Sequence, residues 1–333
     1  MTSDHKQASG EDSLIARYFR PIATDPGAFG LDDDAALLKA RGEDIVVTTD
    51  AIVEGVHYLP DDPPDTVARK ALRVNLSDLA AKGATPAGFV LTLALRSVDE
   101  AWLAAFARGL GEDAKSFDCP LLGGDTVSTP GPLTVSITAF GRVPDSKMVH
   151  RSGARAGDRV MVTGTIGDAA LGLDLLKGGP VARALTDDPA ATEILSSRYR
   201  VPQPRNALAM AVRHHAHAAM DVSDGLAGDL AKLCAASGVS ADINAPLVPL
   251  SAVAAGLVAR GVVGLEALIS GGDDYEILCA IAEADVAAFT NEAGRAGMAV
   301  TAIGTVTADR RAPRFLDAQG TEISLRRPSY SHF

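Results

Sequence analysis

Cysteine is scarce in this 333-residue chain: Cys119, Cys234 and Cys279 stand far apart, with no CxxC pair. That spacing supports neither a disulfide framework nor a zinc site, and a reducing, cytoplasmic setting is expected. Long apolar runs are missing too, since a stretch such as 89–95 is far short of the roughly 20 residues that cross a bilayer. Residues 1–12 are polar and mixed in charge, unlike a secretory leader, and read as a disordered tail. Positive charge is in deficit: 31 Lys and Arg face 42 Asp and Glu, a net charge of −11. Nucleic acid and anionic membrane surfaces both reward Lys and Arg, so neither is expected as a partner. The familiar nucleotide motifs are also absent. There is no GxxxxGK(S/T), GxGxxG, HRD or DFG, which excludes a P-loop enzyme and a protein kinase. Asp221 and Asp224 stand three apart, which does not match the alternating ligands of an EF-hand.

What is present is an α/β (or α+β) pattern long enough for two domains. The spacing predicts a short helix over 13–19, an acidic loop around Asp32-Asp33-Asp34, and a helix over 63–83 with Gly83 as its stop. Ser97 with Glu100 forms a capping box for a helix through 117, and strands are expected at 88–95 and 133–143. A Pro, Asp, Ser and Arg-rich loop over 144–157 divides the chain into domains of 13–144 and 145–333. Beyond it come a strand at 159–163, a turn at 164–168 that opens a helix, and helices at 189–199 and 204–215. A helix at 284–296 and strands at 277–281, 299–306 and 313–317 follow. The histidines 214, 215 and 217 lack i,i+4 spacing and read as a solvated helix end.

One device recurs. An apolar or β-branched strand ends in a carboxylate at Ile45-Val46-Val47-Thr48-Thr49-Asp50, at Leu121-Leu122-Gly123-Gly124-Asp125 and at Met220-Asp221-Val222-Ser223-Asp224-Gly225. If 217–223 is extended, Asp221 and Ser223 share a face, and Asp224 reads as the N-cap of the helix after Gly225. Asn75 and Asp78 share a neighbouring helix face. Asp34, Asp50, Asp78, Asp125, Asp221 and Asp224 cannot converge without cations, because like charges about 4 Å apart repel by roughly 4 kcal/mol at an effective dielectric near 20. All-oxygen ligands select hard ions, and Mg²⁺ shares its shell with substrate phosphates, so convergence would mean phosphoryl chemistry. Glycines beside Asp125 and the 164–168 turn offer backbone N–H groups to phosphate.

Seven segments in order, "DDDAALL" at 32–38, "TTDAIVEGVHY" at 48–58, "NLSDLAAKGATP" at 75–86, "GGDT" at 123–126, "RSGARAGD" at 151–158, "DVSDGL" at 221–226 and "GGDDYEIL" at 271–278, closely resemble the thiamine-monophosphate kinase family. The resemblance spans about 13–333. It implies a two-domain fold like that of aminoimidazole ribonucleotide synthetase, dimerising through its N-terminal sheet domain, and ATP-dependent conversion of thiamine monophosphate to thiamine diphosphate. Several Mg²⁺ ions are the implied cofactors. Their implied ligands are Asp34, Thr48, Thr49, Asp50, Asp78, Asp125, Asp221 and Asp224, with Asp50, Asp125 and Asp221 the implied catalytic carboxylates. Gly124, Asp125, Arg151 and Ser223 match nucleotide contacts, and His57, Asp273 and Tyr330 match positions that hold the thiamine phosphate. Aminoimidazole ribonucleotide synthetase is the alternative.

Taken without the family, His57 reads as a half-buried strand-end histidine, Arg151 as a partner of Asp158 and Tyr330 as a packed tail residue. Two departures stand out: Asp32 where the family commonly has Gly, and Asp273 where it commonly has Glu.

Overall fold

The computed structural model describes residues 14–31, 38, 40 and 42–325. The expected tail, Asp32, Asp34 and Tyr330 lie outside the described residues. The chain divides into two units, Met1–Asn75 with Pro86–Arg142, and Leu76–Thr85 with Val143–Phe333.

In the first unit, strands β1 (Asp44–Val53), β2 (Thr85–Leu95), β3 (Leu121–Ser128) and β4 (Thr134–Val143) form one sheet in the order β1-β4-β2-β3. β2 and β3 run parallel, joined through helix α2 (Glu100–Ser116), the crossover that a parallel pair requires. Helix α1 (Pro64–Ala81) opens on a proline and buries Val67, Ala68, Ala71 and Leu72 within this unit. Asp113 of α2 is 1% exposed and accepts from Arg69 at 2.6 Å and Arg73 Nη2 at 2.9 Å, so two α1 cations neutralise one buried carboxylate. The capping box expected at Ser97 is not used. Asp99 caps α2 by accepting from the N–H groups of Ala101 and Trp102, because it sits next to the first turn and brings a full charge to the positive end of the helix dipole. Glu100 instead binds Arg17 and Tyr18. The helix expected over 13–19 is a π-type turn at Ile15–Phe19.

The second unit carries strands β5 (Arg159–Thr163), β6 (Ala216–Asp221), β7 (Ser240–Asn244), β8 (Ile277–Ile281), β9 (Val300–Thr307) and β10 (Arg314–Leu316) in the order β10-β7-β9-β5-β8-β6. β10 and β7 are parallel and the other pairs antiparallel. Its helices after the C-terminal turns of α1 are α3 (Asp168–Leu176), α4 (Pro180–Ala184), α5 (Pro189–Arg200), α6 (Ala209–His215), α7 (Leu226–Ser237), α8 (Ala252–Ala259), α9 (Leu265–Ser270) and α10 (Val286–Arg295).

Alternation along β5 and β8 sends side chains to both faces. Val160, Val162, Leu278 and Ala280 pack with Leu230 and Leu233 of α7, whereas Met161, Ile277, Cys279 and Ile281 pack with Val212 of α6 and Phe289 of α10. Both faces of the sheet are therefore covered. This is why all five residues of β8 are buried and why it reads as an unbroken apolar run. Each large aliphatic of that strand contributes about 1.5–3 kcal/mol by burial.

Candidate active site

β6 ends at Asp221, two residues before the end expected from the sequence. Its ladder nevertheless continues. Val222 N–H donates to Glu276 O, Tyr275 N–H to Val222 O and Asp273 N–H to Ser223 O, each at 2.8 Å. The DVSDG and GGDDYE segments are thus one structure, held together by backbone bonds. Asp273 and Tyr275 both have positive φ, 70° and 52°. Such conformations cost about 1–3 kcal/mol each and persist only where surrounding bonds enforce them, as these three do.

Asp224 does not cap α7. The N-cap is Gly225, at φ 107°, and a Cβ there would stand 2.7 Å from the Ser270 backbone, so only glycine fits. Capping comes instead from inside the helix. Asp229 Oδ2 accepts from the N–H groups of both Ser223 and Asp224 at 2.9 Å, while its Oδ1 accepts from Lys232 at 2.8 Å. Lys232 also donates to Asp224 Oδ2 at 2.5 Å. Asp229 is fully buried, and burial pushes its carboxyl up despite the Lys232 ammonium. No sequence expectation pointed to Asp229 or Lys232. The available signal was their i,i+3 spacing just after the motif.

Asp274 and Glu276 of the second motif are structural. Asp274 accepts from Gly167 N–H at 2.7 Å and Ala169 N–H at 3.3 Å. Within the 164–168 turn, expected to offer N–H groups to a phosphate, Gly167 N–H is taken by this carboxyl group. Glu276, with no exposed surface, accepts from Thr163 at 2.7 Å, from Arg198 at 3.0 Å and from Arg205 Nε at 2.6 Å. Burial pushes the Asp274 carboxyl up to about 8, against the pull of Gly167 N–H, Arg198 and Ala169 N–H.

A carboxyl protonated in the fold and ionised on unfolding lends stability that is complete below its ordinary value of 3.8 and lost as pH rises through about 8. Urea midpoints followed from about pH 4 to pH 8 should therefore carry a falling component, at most about 1.4 kcal/mol per pH unit. Asp274→Asn should remove that component, and an unchanged pH slope in the variant would contradict this origin.

Within the second unit, Lys82 gathers three expected site residues. Its ammonium donates to Ala219 O at 2.7 Å, two residues before Asp221. Burial lowers its proton affinity, the carboxylates of Asp221 and Asp78 oppose that, and Arg151 adds to it. Val149 N–H donates to Lys82 O, and Ala219 N–H to His150 O. The segments leading to Asp78, Asp221 and Arg151 are tied at one residue. Arg151 is exposed. The expected alternative partner, Asp158, is held by His217 Nδ1 at 2.9 Å and by Arg155 N–H at 2.8 Å. His215 meets Glu292 at 3.2 Å, so these two histidines of the 214–217 group have carboxylate partners.

In the first unit, two of the expected strand ends are not ends. β1 continues three residues past Asp50, and β3 three past Asp125. Thr48 and Asp50 share a face by alternation, while Thr49 turns to β4, donating to Ile137 O at 3.2 Å and accepting from Thr138 at 3.0 Å. Gly124 sits in the β2–β3 ladder opposite Leu91. A Cβ there would lie 2.0 Å from Leu91 O, so close strand approach already requires this glycine. β1 and β3 are the two outer strands, so three strand spacings separate the strand of Asp50 from that of Asp125.

His57 lies in the turn after β1, where Val53 N–H donates to its Nδ1 at 3.0 Å and Lys70, almost fully buried, donates to its C=O at 2.8 Å. A backbone N–H can only donate, so the neutral ring carries its proton on Nε2.

Among the described residues, no three His, Cys, Asp or Glu side chains come together. Within each unit, the described carboxylates do not form a ready cage. Mg²⁺ does not require one, since it is usually held by one or two carboxylates together with substrate phosphates. The oxygen-only donors at Thr48, Asp50, Asp78, Asp125, Asp221 and Asp224 suit that ion, and the Lys232 ammonium on Asp224 marks a place where a cation is already favourable.

The chain matches two domain models: AIR synthase related protein, N-terminal domain, over residues 32–143, and AIR synthase related protein, C-terminal domain, over 155–316. Thiamine-monophosphate kinase of Caulobacter vibrioides is 48% identical over 296 residues, covering 87% of this chain and 82% of the relative. The crystal structure of thiamine-monophosphate kinase from Stenotrophomonas maltophilia K279a matches with a TM-score of 0.80 at 37% identity, over 91% of this chain and 94% of that one. The structure of AaThiL complexed with AMPPCP and TMP matches with a TM-score of 0.76 at 27% identity, over 92% and 97%. Both halves of the chain and nearly all of its motifs are covered by these likenesses, and the chain belongs to the thiamine-monophosphate kinase family, within the AIR synthase related proteins.

Proposed function

We propose that this chain transfers the γ-phosphoryl group of ATP to the phosphate of thiamine monophosphate, giving thiamine diphosphate and ADP. The observation that carries the proposal is the likeness, along nearly the whole chain, to a structure holding AMPPCP and TMP together. In the transfer, an oxygen of the acceptor phosphate forms the new P–O bond while the bond from the γ-phosphorus to the bridging oxygen of ADP breaks. The acceptor's second pKa is near 6, so it is largely dianionic at pH 7 and attacks without a general base. Consistent with this, the buried Asp274 is bonded to two backbone N–H groups rather than poised for proton transfer.

Asp34, Thr48, Asp50, Asp78, Asp125, Asp221 and Asp224 are the proposed Mg²⁺ ligands, whereas the Thr49 hydroxyl, implied by the resemblance, is engaged with β4. When bound, the ions supply charge neutralisation and alignment between two polyanions. Gly124, Asp125, Arg151 and Ser223 are assigned to the nucleotide, with Arg151 supplying a planar cation for phosphate. His57 presents its Nε2–H donor to the acceptor phosphate. Asp273, an acceptor only, suits an amino group of the thiamine pyrimidine, and Tyr330 supplies a ring for stacking. A homodimer joined through the first unit's sheet belongs to the same reading, supported by Val47 and Val127, 57% and 41% exposed on its outer strands. A cytoplasmic setting fits the three free, buried thiols.

Purified chain given ATP, Mg²⁺ and thiamine monophosphate should form one thiamine diphosphate per ADP, read by chromatography of both products. ADP without thiamine diphosphate, or neither product, would refute the assignment.

A further inference from the structure

We infer that Lys232 is a built-in counter-ion of Asp224, competing with a divalent cation for that carboxylate and so setting the Mg²⁺ concentration at which the loop fills. The inference rests on the proposal that Asp224 is a metal ligand. Its basis is a chain of contacts that starts in the core. Asp229 has no exposed surface, and its Oδ2 is fixed by the N–H groups of Ser223 and Asp224. Its remaining oxygen anchors Lys232 at 2.8 Å. Lys232 lies one helical turn further along α7, so its side chain returns over the same face and its ammonium reaches Asp224 Oδ2 at 2.5 Å.

Anchoring on Asp229 means that much of the ordering cost of a long flexible side chain is already met before it touches Asp224. The second contact is therefore held more firmly than an ordinary surface pair. It is still exchangeable, because the Lys232 and Asp224 side chains remain 39% and 36% exposed. A Mg²⁺ ion taking either oxygen of Asp224 would meet a like charge within hydrogen-bond reach of the same carboxylate. The ammonium must then withdraw to Asp229 alone or depress the affinity. Lys82, by contrast, spends its ammonium on the Ala219 carbonyl.

The test is calorimetric titration of MgCl₂ into the full nucleotide-free chain. Lys232→Met keeps the side chain's length without its charge, and Lys232→Arg keeps the charge; each is also made together with Asp224→Asn. Lys232→Met should bind Mg²⁺ about tenfold more tightly than the unaltered chain, Lys232→Arg should behave like the unaltered chain, and Asp224→Asn should erase the gain. Thermal unfolding by circular dichroism checks that each variant is folded. Equal or weaker affinity in Lys232→Met overturns the counter-ion role while leaving the metal reading standing. Absence of Mg²⁺ binding in every protein, Lys232→Met included, overturns the counter-ion role, and if it persists when the titration is repeated with AMPPCP bound it overturns the metal reading too.

Discussion

Glu276→Ala is expected to destabilise the second unit by about 3–5 kcal/mol, the range for removing one partner of a buried ion pair. The glutamate has no exposed surface, and the guanidinium side chains of Arg198 and Arg205 against it are only 14% and 15% exposed. Without the carboxylate, two cations lose the charge that neutralises them, and the Asp274 carboxyl remains close to Arg198. Thr163 loses its acceptor as well, while still receiving Ile277 N–H at 2.8 Å. The expected penalty comes mainly from these stranded partners, so Glu276→Gln, which keeps an acceptor but no charge, should fall between the two proteins. Trp102 is the chain's one tryptophan and lies in the first unit, so its fluorescence does not report directly on the Glu276 cluster. Urea unfolding followed by far-ultraviolet circular dichroism is the suitable readout. A loss under about 1 kcal/mol in the alanine variant would mean that the cluster does not organise this unit.

Asp221→Asn is expected to lower kcat by roughly 10²–10³-fold, the scale for deleting one electrostatic contact to a transition state, with the circular dichroism spectrum unchanged. The two side chains are nearly isosteric, and Asp221 is 7% exposed at the end of β6, where the backbone register with Ile277 is independent of its charge. What the amide removes is negative charge opposite Lys82 and, under the proposed function, a cation ligand. A fall in kcat with a raised Mg²⁺ requirement is the expected pattern. Activity within tenfold of the unaltered chain would remove Asp221 from the catalytic set.

Sequence patterns anticipated some elements and missed others for identifiable reasons. β5 and β8 emerge at their expected bounds, 159–163 and 277–281, because apolar runs covered on both faces leave little ambiguity. β7, Ser-Ala-Asp-Ile-Asn at 240–244, went unanticipated. Its composition favours strand weakly, and it is extended because β9 and β10 supply partners from more than 50 residues away. α8 and α9 were missed as well. The cap of α2 went to Asp99 rather than Ser97, and the N–H groups before α7 went to Asp229 rather than Asp224. In each case several nearby side chains could serve, and packing selected one.

The motifs themselves were legible in one dimension. Carboxylates beside glycines and hydroxyls, in a net acidic chain without a P-loop, already imply oxygen-ligand and phosphate chemistry, because that inference depends on which atoms are present. Which of those atoms are spoken for depends on distance and burial. Asp273 and Asp274 are adjacent and chemically identical, yet one lies in a backbone-enforced left-handed turn and the other is sealed against the N–H groups opening α3. Asp224 and Asp229 divide the same way, one half-open beneath Lys232 and the other fully buried as the loop's anchor. Composition cannot separate such pairs. Desolvation and hydrogen bonding to residues distant in the chain do so, and those terms exist only once the sheet and helices have closed around them.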